Sequence, residues 1–276
     1  METRYSTHPN QVKDFSTAEL RENYLIEELF VSNETKLVYS MDDRIIIGGI
    51  TPKDAQILLE GTDQMQSEYF LDRREVGIFN VGGKGKIVVD GETFDMENKD
   101  CLYVGLGKKE LVFSSESSGH AAKYYIFSAP AHKEYPVQHV SFRSIEGDRL
   151  GTVNNANQRV IRRFIHEEGI QSCQIVMGMT QLDKGSVWNS VPTHTHDRRT
   201  EVYLYIDLDE DARLFHFMGE SRNTKHVILK NEQAVISPPW SIHCGTATSN
   251  YAFVWGMAGD NKTISDAIPV KLEEMR

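Results

Sequence analysis

Residues 185–201 read GSVWNSVPTHTHDRRTE, and this stretch is the strongest indication of the fold. In an extended strand, residues two apart point to the same side, so His194 and His196 would present two imidazoles to one space. Glu201 lies an odd number of positions beyond His196, and it reaches the same side only if residues 197–200 interrupt the strand. That segment is polar and suits a turn, so we expect a strand, a short break and a second strand.

A fourth candidate ligand lies in residues 238–243, which read PPWSIH. A proline-rich turn followed by a strand would return His243 to the barrel wall that holds the other three residues. An isolated His-x-His pair is weak evidence, because most such histidines are core or surface residues. The combination with a glutamate and a later histidine after two prolines favours a metal site. Imidazole nitrogens and a carboxylate oxygen suit zinc, iron, manganese, nickel or cobalt better than calcium. We therefore predict that one divalent metal ion is bound by His194, His196, Glu201 and His243.

The rest of the chain reads mainly as two successive series of short strands. We predict the first series, which includes a tight hairpin turn at Asp90-Gly91, at residues 44–50, 76–90, 100–106, 110–114 and 123–128. We predict the second series at residues 173–180, 201–207, 213–218, 225–229, 234–237 and 251–256. Two such sets of strands indicate an all-β protein with two similar tandem barrels.

The boundaries follow from the regions between and before these strands. Residues 129–157 contain two prolines and a glycine-asparagine stretch, which is typical of a connector. We therefore divide the chain into a first domain at residues 1–140 and a second, metal-binding domain at residues 141–276. A short amphipathic helix is expected at Phe15–Phe30, within the first domain, with Ser16 or Thr17 as its cap.

Composition restricts the class of protein. The 276 residues are 39% hydrophobic and 25% charged, which is typical of a soluble globular chain, and the formal net charge of -10 argues against a nucleic-acid partner. No apolar run approaches the roughly 18 residues of a membrane span, and the N-terminus lacks the apolar segment of a signal peptide. Three distant cysteines indicate reduced thiols, so a cytoplasmic location is expected.

Several motifs extend the pattern beyond the predicted ligands. They are FLDRREVG at residues 70–77, DCLYVG at 100–105, Trp188-Asn189, HTHDRR at 194–199 and NEQAVISPPWSIH at 231–243. Together with the general His-x-His, glutamate and histidine pattern of the cupin superfamily, these motifs closely resemble the 5-keto-4-deoxyuronate isomerase family. The resemblance covers essentially the whole chain.

The resemblance implies a fold, an activity and a site. It implies two tandem cupin barrels of the jelly-roll type and a homohexamer with one zinc ion per chain. The family's four zinc ligands fall on His194, His196, Glu201 and His243, with no departure. The implied reaction interconverts 5-dehydro-4-deoxy-D-glucuronate and 3-deoxy-D-glycero-2,5-hexodiulosonate in the breakdown of pectin and related uronates.

The first domain departs from the general cupin pattern. Residues 72–75 read DRRE where ligand histidines would be expected, and residues 104–109 replace the second motif without a histidine. We therefore interpret the first domain as structural, with no metal site.

The sequence leaves the rest of the chemistry open. It does not identify the base that moves the proton, and Tyr203 and Tyr205 could either face the cavity or fill the barrel. The substrate carboxylate needs a cation, and the candidates near the site in sequence are Arg162, Arg163, Lys184, Arg198 and Arg199. Three alternative functions remain: an iron-dependent cupin dioxygenase, an isomerase of 5-deoxyglucuronate, and a non-catalytic sugar-binding cupin.

Overall fold

The computed structural model describes residues 1–260, 263 and 266–276, and it divides into two compact units. Unit 1 contains Met1–Thr3, Glu28–Glu146 and Phe164–Val176. Unit 2 contains Arg4–Glu27, Gly147–Arg163 and Met177–Arg276. The units therefore differ from the expected division at residue 140, because the N-terminal helical segment belongs to unit 2 and residues 164–176 belong to unit 1.

Unit 1 is built from one seven-stranded and one four-stranded sheet. The larger sheet has the order β1 (Glu2–Arg4), β3 (Thr35–Ser40), β4 (Ile46–Ile50), β11 (Tyr124–Pro130), β6 (Arg74–Asn80), β9 (Cys101–Val104) and β12 (Gln138–Val140). The smaller sheet has the order β5 (Ile57–Leu58), β10 (Leu111–Ser115), β7 (Gly85–Val89) and β8 (Glu92–Met96). Buried apolar residues of both sheets form one cluster, so the interior of this unit is filled by its own side chains.

Unit 2 repeats this arrangement. Its seven-stranded sheet has the order β13 (Asp148–Leu150), β14 (Arg159–Ile165), β15 (Val176–Leu182), β23 (Ala252–Gly259), β18 (Arg199–Ile206), β21 (Ala234–Ser237) and β2 (Leu25–Ile26). Its four-stranded sheet has the order β16 (Trp188–Asn189), β22 (Cys244–Ala247), β19 (Leu214–Glu220) and β20 (Asn223–Leu229). A separate pair joins β17 (His194–Thr195) to β24 (Ile268–Pro269). The same seven-plus-four arrangement in both units is compatible with the expected tandem barrels.

Short helices complete the described part of the chain. The α-helices are α1 (Pro9–Val12) and α2 (Thr17–Tyr24), and short 3-10 turns occur at Asp63–Met65, Ser118–His120, Phe142–Ser144 and Leu272–Glu274. The expected connector at 129–157 contains β12 and β13. No helix among the described residues is both long and apolar enough to cross a bilayer.

The N-terminal helix is shorter than the sequence pattern predicts. Ser16 caps α2 through a capping box, since its hydroxyl accepts from the Glu19 N–H (3.3 Å) and the Glu19 carboxylate accepts from the Ser16 N–H (2.7 Å). The helix ends at Tyr24 rather than Phe30, because Leu25 and Ile26 leave it to pair with β21. Strand pairing in unit 2 therefore overrides the local helical pattern.

Local turn signals are confirmed where they do not compete with such pairing. The hairpin between β7 and β8 turns at Asp90 and Gly91, whose φ angles are 47° and 88°. Two consecutive positive φ angles are typical of the tight turn whose twist matches the flanking strands, and Asp-Gly is a favoured pair there.

Candidate metal centre

Three strands of unit 2 bring the predicted ligands together. His194 lies in β17, and a turn at residues 197–198 separates it from β18, which carries Glu201. His243 directly precedes β22. The strand, break and second strand expected from the sequence are present, so Glu201 can face the histidines despite its odd spacing.

The four side chains form a compact cluster, which we call the histidine–glutamate cluster (His194, His196, Glu201 and His243). One donor atom from each lies within 4.8 Å of all the others. The Glu201 Oε2 atom is 2.8 Å from His243 Nε2 and 3.1 Å from His196 Nε2, and His243 Nε2 is 3.1 Å from His194 Nε2. Among the described residues, this is the group of histidine, cysteine and acidic side chains arranged to hold a metal ion.

Neighbouring acceptors fix the orientation of two of the imidazoles. His196 Nδ1 is 3.0 Å from the Asp266 carboxylate, and His243 Nδ1 is 3.4 Å from the Ser241 carbonyl oxygen. Each Nδ1 can donate a proton to its acceptor, so Nε2 is the nitrogen that each ring presents to the centre of the cluster. Nε2 atoms that converge with a carboxylate oxygen are the donor set of a divalent metal site, and the residues present fit such an ion.

The ionisation of the cluster favours the same chemistry. Burial, together with the neighbouring His243, lowers the pKa of His194 to about 3, so this imidazole is neutral at physiological pH. Burial raises the pKa of Glu201, but His243 and His196 outweigh this effect and hold the pKa well below its usual range. Neutral imidazoles and an ionised carboxylate are the forms that bind zinc.

The cluster opens onto a cavity of about 320 Å³ in unit 2. Apolar side chains of β23 cover part of its wall, including Phe253, Trp255 and Met257. Gly178 on β15 makes room for the Trp255 ring, because a Cβ atom there would lie 2.2 Å from it. The cavity is therefore largely shielded from water on this side, which strengthens electrostatic interactions inside it.

Polar groups line another part of the wall. The Ser190 hydroxyl accepts a hydrogen bond from the Asn189 amide (2.8 Å) and lies 2.9 Å from the Tyr203 hydroxyl. Burial raises the pKa of Tyr203 well above its usual value, so the phenol keeps its proton. Tyr203 and Ser190 both line the cavity, and they offer hydroxyl groups to a bound molecule.

Tyr205 has a different role from Tyr203. Its hydroxyl lies 2.8 Å from Nδ1 of His216, and both side chains are buried outside the residues that line the cavity. Burial lowers the pKa of His216 to about 3, so this histidine is a neutral core residue.

The candidate cations are spread over different environments. Arg163 lines the cavity and forms an ion pair with Asp148. The other four candidates do not line the cavity. Arg162 binds Gln181, and Arg199 is buried against Asp266. Arg198 is exposed and pairs with Asp260, and Lys184 is also exposed.

Arg159 and Asp266 are polar residues of the site that were not identified from the sequence. Arg159 lines the cavity, and the alternation of residues 159, 161 and 163 along β14 is the signal that could have identified it. Asp266 orients His196 from 70 positions away, and no local pattern could have identified it.

In unit 1, the glutamate of the DRRE motif is used differently. The Glu75 carboxylate is fully buried and accepts hydrogen bonds from the Tyr103 hydroxyl (2.7 Å) and from the backbone N–H groups of Cys173, Gln174 and Ile175 (2.6–2.9 Å). Its oxygens are therefore occupied by donors from the protein itself.

Comparison with known sequences places this site in a family. A model of the KduI/IolB family matches residues 24–272. The chain is 51% identical to the 4-deoxy-L-threo-5-hexosulose-uronate ketol-isomerase of Bacillus pumilus, 49% to that of Halalkalibacterium halodurans and 46% to that of Bacillus subtilis. Each alignment spans 276 residues and covers 100% of both proteins.

Solved structures show the same fold at much lower identity. An IolB-like protein from Salmonella typhimurium has a TM-score of 0.66 at 15% identity, covering 87% of this chain and 94% of that one. The oxalate decarboxylase of Lactobacillus farciminis has a TM-score of 0.62 at 10% identity, covering 95% and 91%. The all-β, cupin-like fold expected from the sequence is confirmed.

Proposed function

The chain belongs to the KduI/IolB family, and from this premise we propose that it is a zinc-assisted ketol-isomerase of uronate catabolism, such as pectin breakdown. Its substrates would be 5-dehydro-4-deoxy-D-glucuronate and 3-deoxy-D-glycero-2,5-hexodiulosonate. The observation that carries the proposal is the histidine–glutamate cluster at the wall of a cavity, in a chain about half identical to named ketol-isomerases over its full length.

The cluster would hold one zinc ion through His194, His196, Glu201 and His243. Zinc suits this donor set, and when bound it supplies positive charge that stabilises negative charge developing on a substrate oxygen. Asp266 and Ser241 contribute by holding His196 and His243 with their Nε2 atoms directed inward.

Ketol isomerisation moves a proton between two adjacent carbons through an enediol, so oxygen atoms on both carbons need hydrogen-bonding partners. Ser190 can donate its proton to Tyr203, which leaves the phenol proton of Tyr203 for a substrate oxygen. The apolar wall formed by Phe253, Trp255 and Met257 excludes water that would compete for these groups.

We also propose that the protein acts in the cytoplasm as a homohexamer. The three cysteines are buried thiols, as expected for a reducing compartment. The assembly is an inference from the family resemblance.

The proposed reaction can be tested by turnover of 5-dehydro-4-deoxy-D-glucuronate in deuterium oxide, followed by NMR. We expect the ketose product, with deuterium on the carbon that becomes its hydroxymethyl group, because a proton removed by a base exchanges with solvent. Chelation of the metal should abolish turnover, and readdition of zinc should restore it.

Each alternative function predicts a different result in the same assay. Oxygen consumption coupled to turnover would place the protein among the dioxygenases, and a preference for 5-deoxyglucuronate would keep the chemistry but change the substrate. Binding without any product would indicate a sugar-binding protein. A ketose that contains no deuterium would contradict the solvent-exchanging enediol while leaving the isomerase assignment intact.

A further inference from the structure

Arg159 is a cation of the cavity wall that pairs with no acidic side chain among the described residues. Its side chain lines the cavity, and the hydrogen bond it makes to the described residues runs from Nη1 to the Asn157 carbonyl oxygen (2.9 Å). The Nε atom is buried and has no hydrogen-bond partner among the described residues. A buried donor without a partner is costly, so a ligand that accepts from it gains binding energy.

The other arginines near the cavity are already committed. Arg163 lines the same wall but pairs with Asp148, and Arg199 pairs with Asp266. Arg162 lies on the opposite face of β14, where it binds Gln181 (2.8 Å). Arg159 is therefore the cavity cation best able to accept a new anionic partner.

Arg159 and the histidine–glutamate cluster line the same cavity from different strands of the sheet. Glu201 lies on β18, and Arg159 lies on β14, which is the third strand from it. A molecule bound in the cavity can therefore contact the cluster and Arg159 through different chemical groups.

We propose that Arg159 binds the carboxylate of the substrate while the histidine–glutamate cluster faces the reacting carbonyl end, so that Arg159 determines the preference for uronates over neutral sugars. The inference rests on the proposed function for the identity of the substrate. The planar guanidinium can donate two parallel hydrogen bonds to a carboxylate, which a neutral hydroxymethyl group cannot accept in the same way. Arg159 is thus a specificity-determining residue rather than a group that moves the proton.

The test compares Arg159→Gln with the unchanged protein on two substrates: the uronate, and its neutral analogue with a primary alcohol in place of the carboxylate. We expect kcat/KM for the uronate to fall about 100-fold, equivalent to about 2.7 kcal/mol, mainly through KM. The value for the neutral analogue should change by less than about three-fold, because it never used the lost interaction. Arg162→Gln, on the outward face of the same strand, is the matched control and should leave the ratio unchanged.

Calorimetry with D-glucuronate and D-glucose separates this inference from the proposed function, because these sugars differ at the carboxylate and need no turnover. The protein could bind D-glucuronate through Arg159 and yet fail to isomerise the proposed uronate. That result would refute the proposed function and support the carboxylate site. Arg159→Gln could instead lower the affinity for both sugars equally, or lower kcat/KM for both substrates equally. Either result would show a structural role for Arg159 and overturn the inference. Arg159→Lys, which keeps the charge, should retain part of the preference, and a zinc content equal to that of the unchanged protein would show that the cluster is intact.

Discussion

Single residues outside the histidine–glutamate cluster determine how its donors are presented. Asp266 and the Ser241 carbonyl oxygen occupy the Nδ1 positions of His196 and His243, so both rings direct Nε2 toward Glu201. Asp266 is itself held by Arg199, whose side chain is buried. An oriented ring loses less rotational entropy on binding a metal, and the acceptor on its far side makes the ring a better ligand.

This arrangement predicts a sharp effect of His196→Ala. Removing one of four donors should weaken zinc binding by more than about 100-fold, because loss of a supporting group alone typically costs 10- to 100-fold. Elemental analysis after dialysis should therefore show zinc occupancy falling from about one ion per chain to a small fraction. His132→Ala replaces an exposed histidine of unit 1 and should keep full occupancy. Full occupancy in the His196 variant, or near two ions in the unchanged chain, would contradict the four-ligand site.

At the scale of strands, the two units contain a similar Asp-Arg-Arg motif, and the glutamate that follows it lies one position later in unit 2 than in unit 1. Residues 72–76 read DRREV before the interior of β6, whereas residues 197–202 read DRRTEV at the start of β18. Val76 and Ile78 lie in the core cluster of unit 1, so Glu75 faces the other side of its strand. In β18 it is Glu201 that lines the cavity. Because side chains alternate, a shift of one position moves a carboxylate from one face of the sheet to the other.

The consequence can be measured with Glu75→Gln. The amide can accept with only one oxygen and would turn an NH₂ group toward backbone N–H donors, so we expect a loss of about 2–4 kcal/mol in stability. For a chain of this size, the loss corresponds to a melting temperature lower by about 5–10 °C in calorimetry. Glu92→Gln, at an exposed position of β8, is the control and should change little. A melting temperature unaltered by Glu75→Gln would show that the carboxylate is not needed to hold residues 173–175.

At the scale of the whole molecule, the two units share an architecture but differ in their interiors. Each has a seven-stranded and a four-stranded sheet. Unit 2 contains a cavity with four potential metal ligands, whereas the interior of unit 1 is packed with apolar side chains and, in its described residues, shows no such group. The interpretation that unit 1 serves structure or assembly stays a prediction.

We predict a closed symmetric oligomer on this basis, with six chains as the family resemblance implies. Identical chains favour closed symmetry because every copy then makes the same contacts and no interface is left unfilled. Light scattering coupled to gel filtration should give a mass about six times that of one chain. A monomer at working concentrations would refute the assembly, and a dimer or trimer would refute the number while leaving closed symmetry in place.

Features with a local physical cause could be predicted from the sequence. The cap at Ser16 and the hairpin at Asp90-Gly91 depend only on neighbouring residues, and the structure confirms both. The alternation of side chains along a strand was enough to propose that His194 and His196 point to one space, and the motif spacing added the other two members of the cluster. The four side chains do meet in the structure.

Features that depend on distant partners were decided only by the tertiary structure. Helix α2 ends at Tyr24 because the next two residues pair with a strand more than 200 positions away, an interaction that no local pattern contains. Asp266 approaches His196 in the same way. Among several nearby arginines, alternation shows that Arg159 and Arg162 lie on opposite faces of β14, but it does not show which face is inside. Sequence periodicity determines which residues share a face, and the packing of the sheets determines which face lines the cavity.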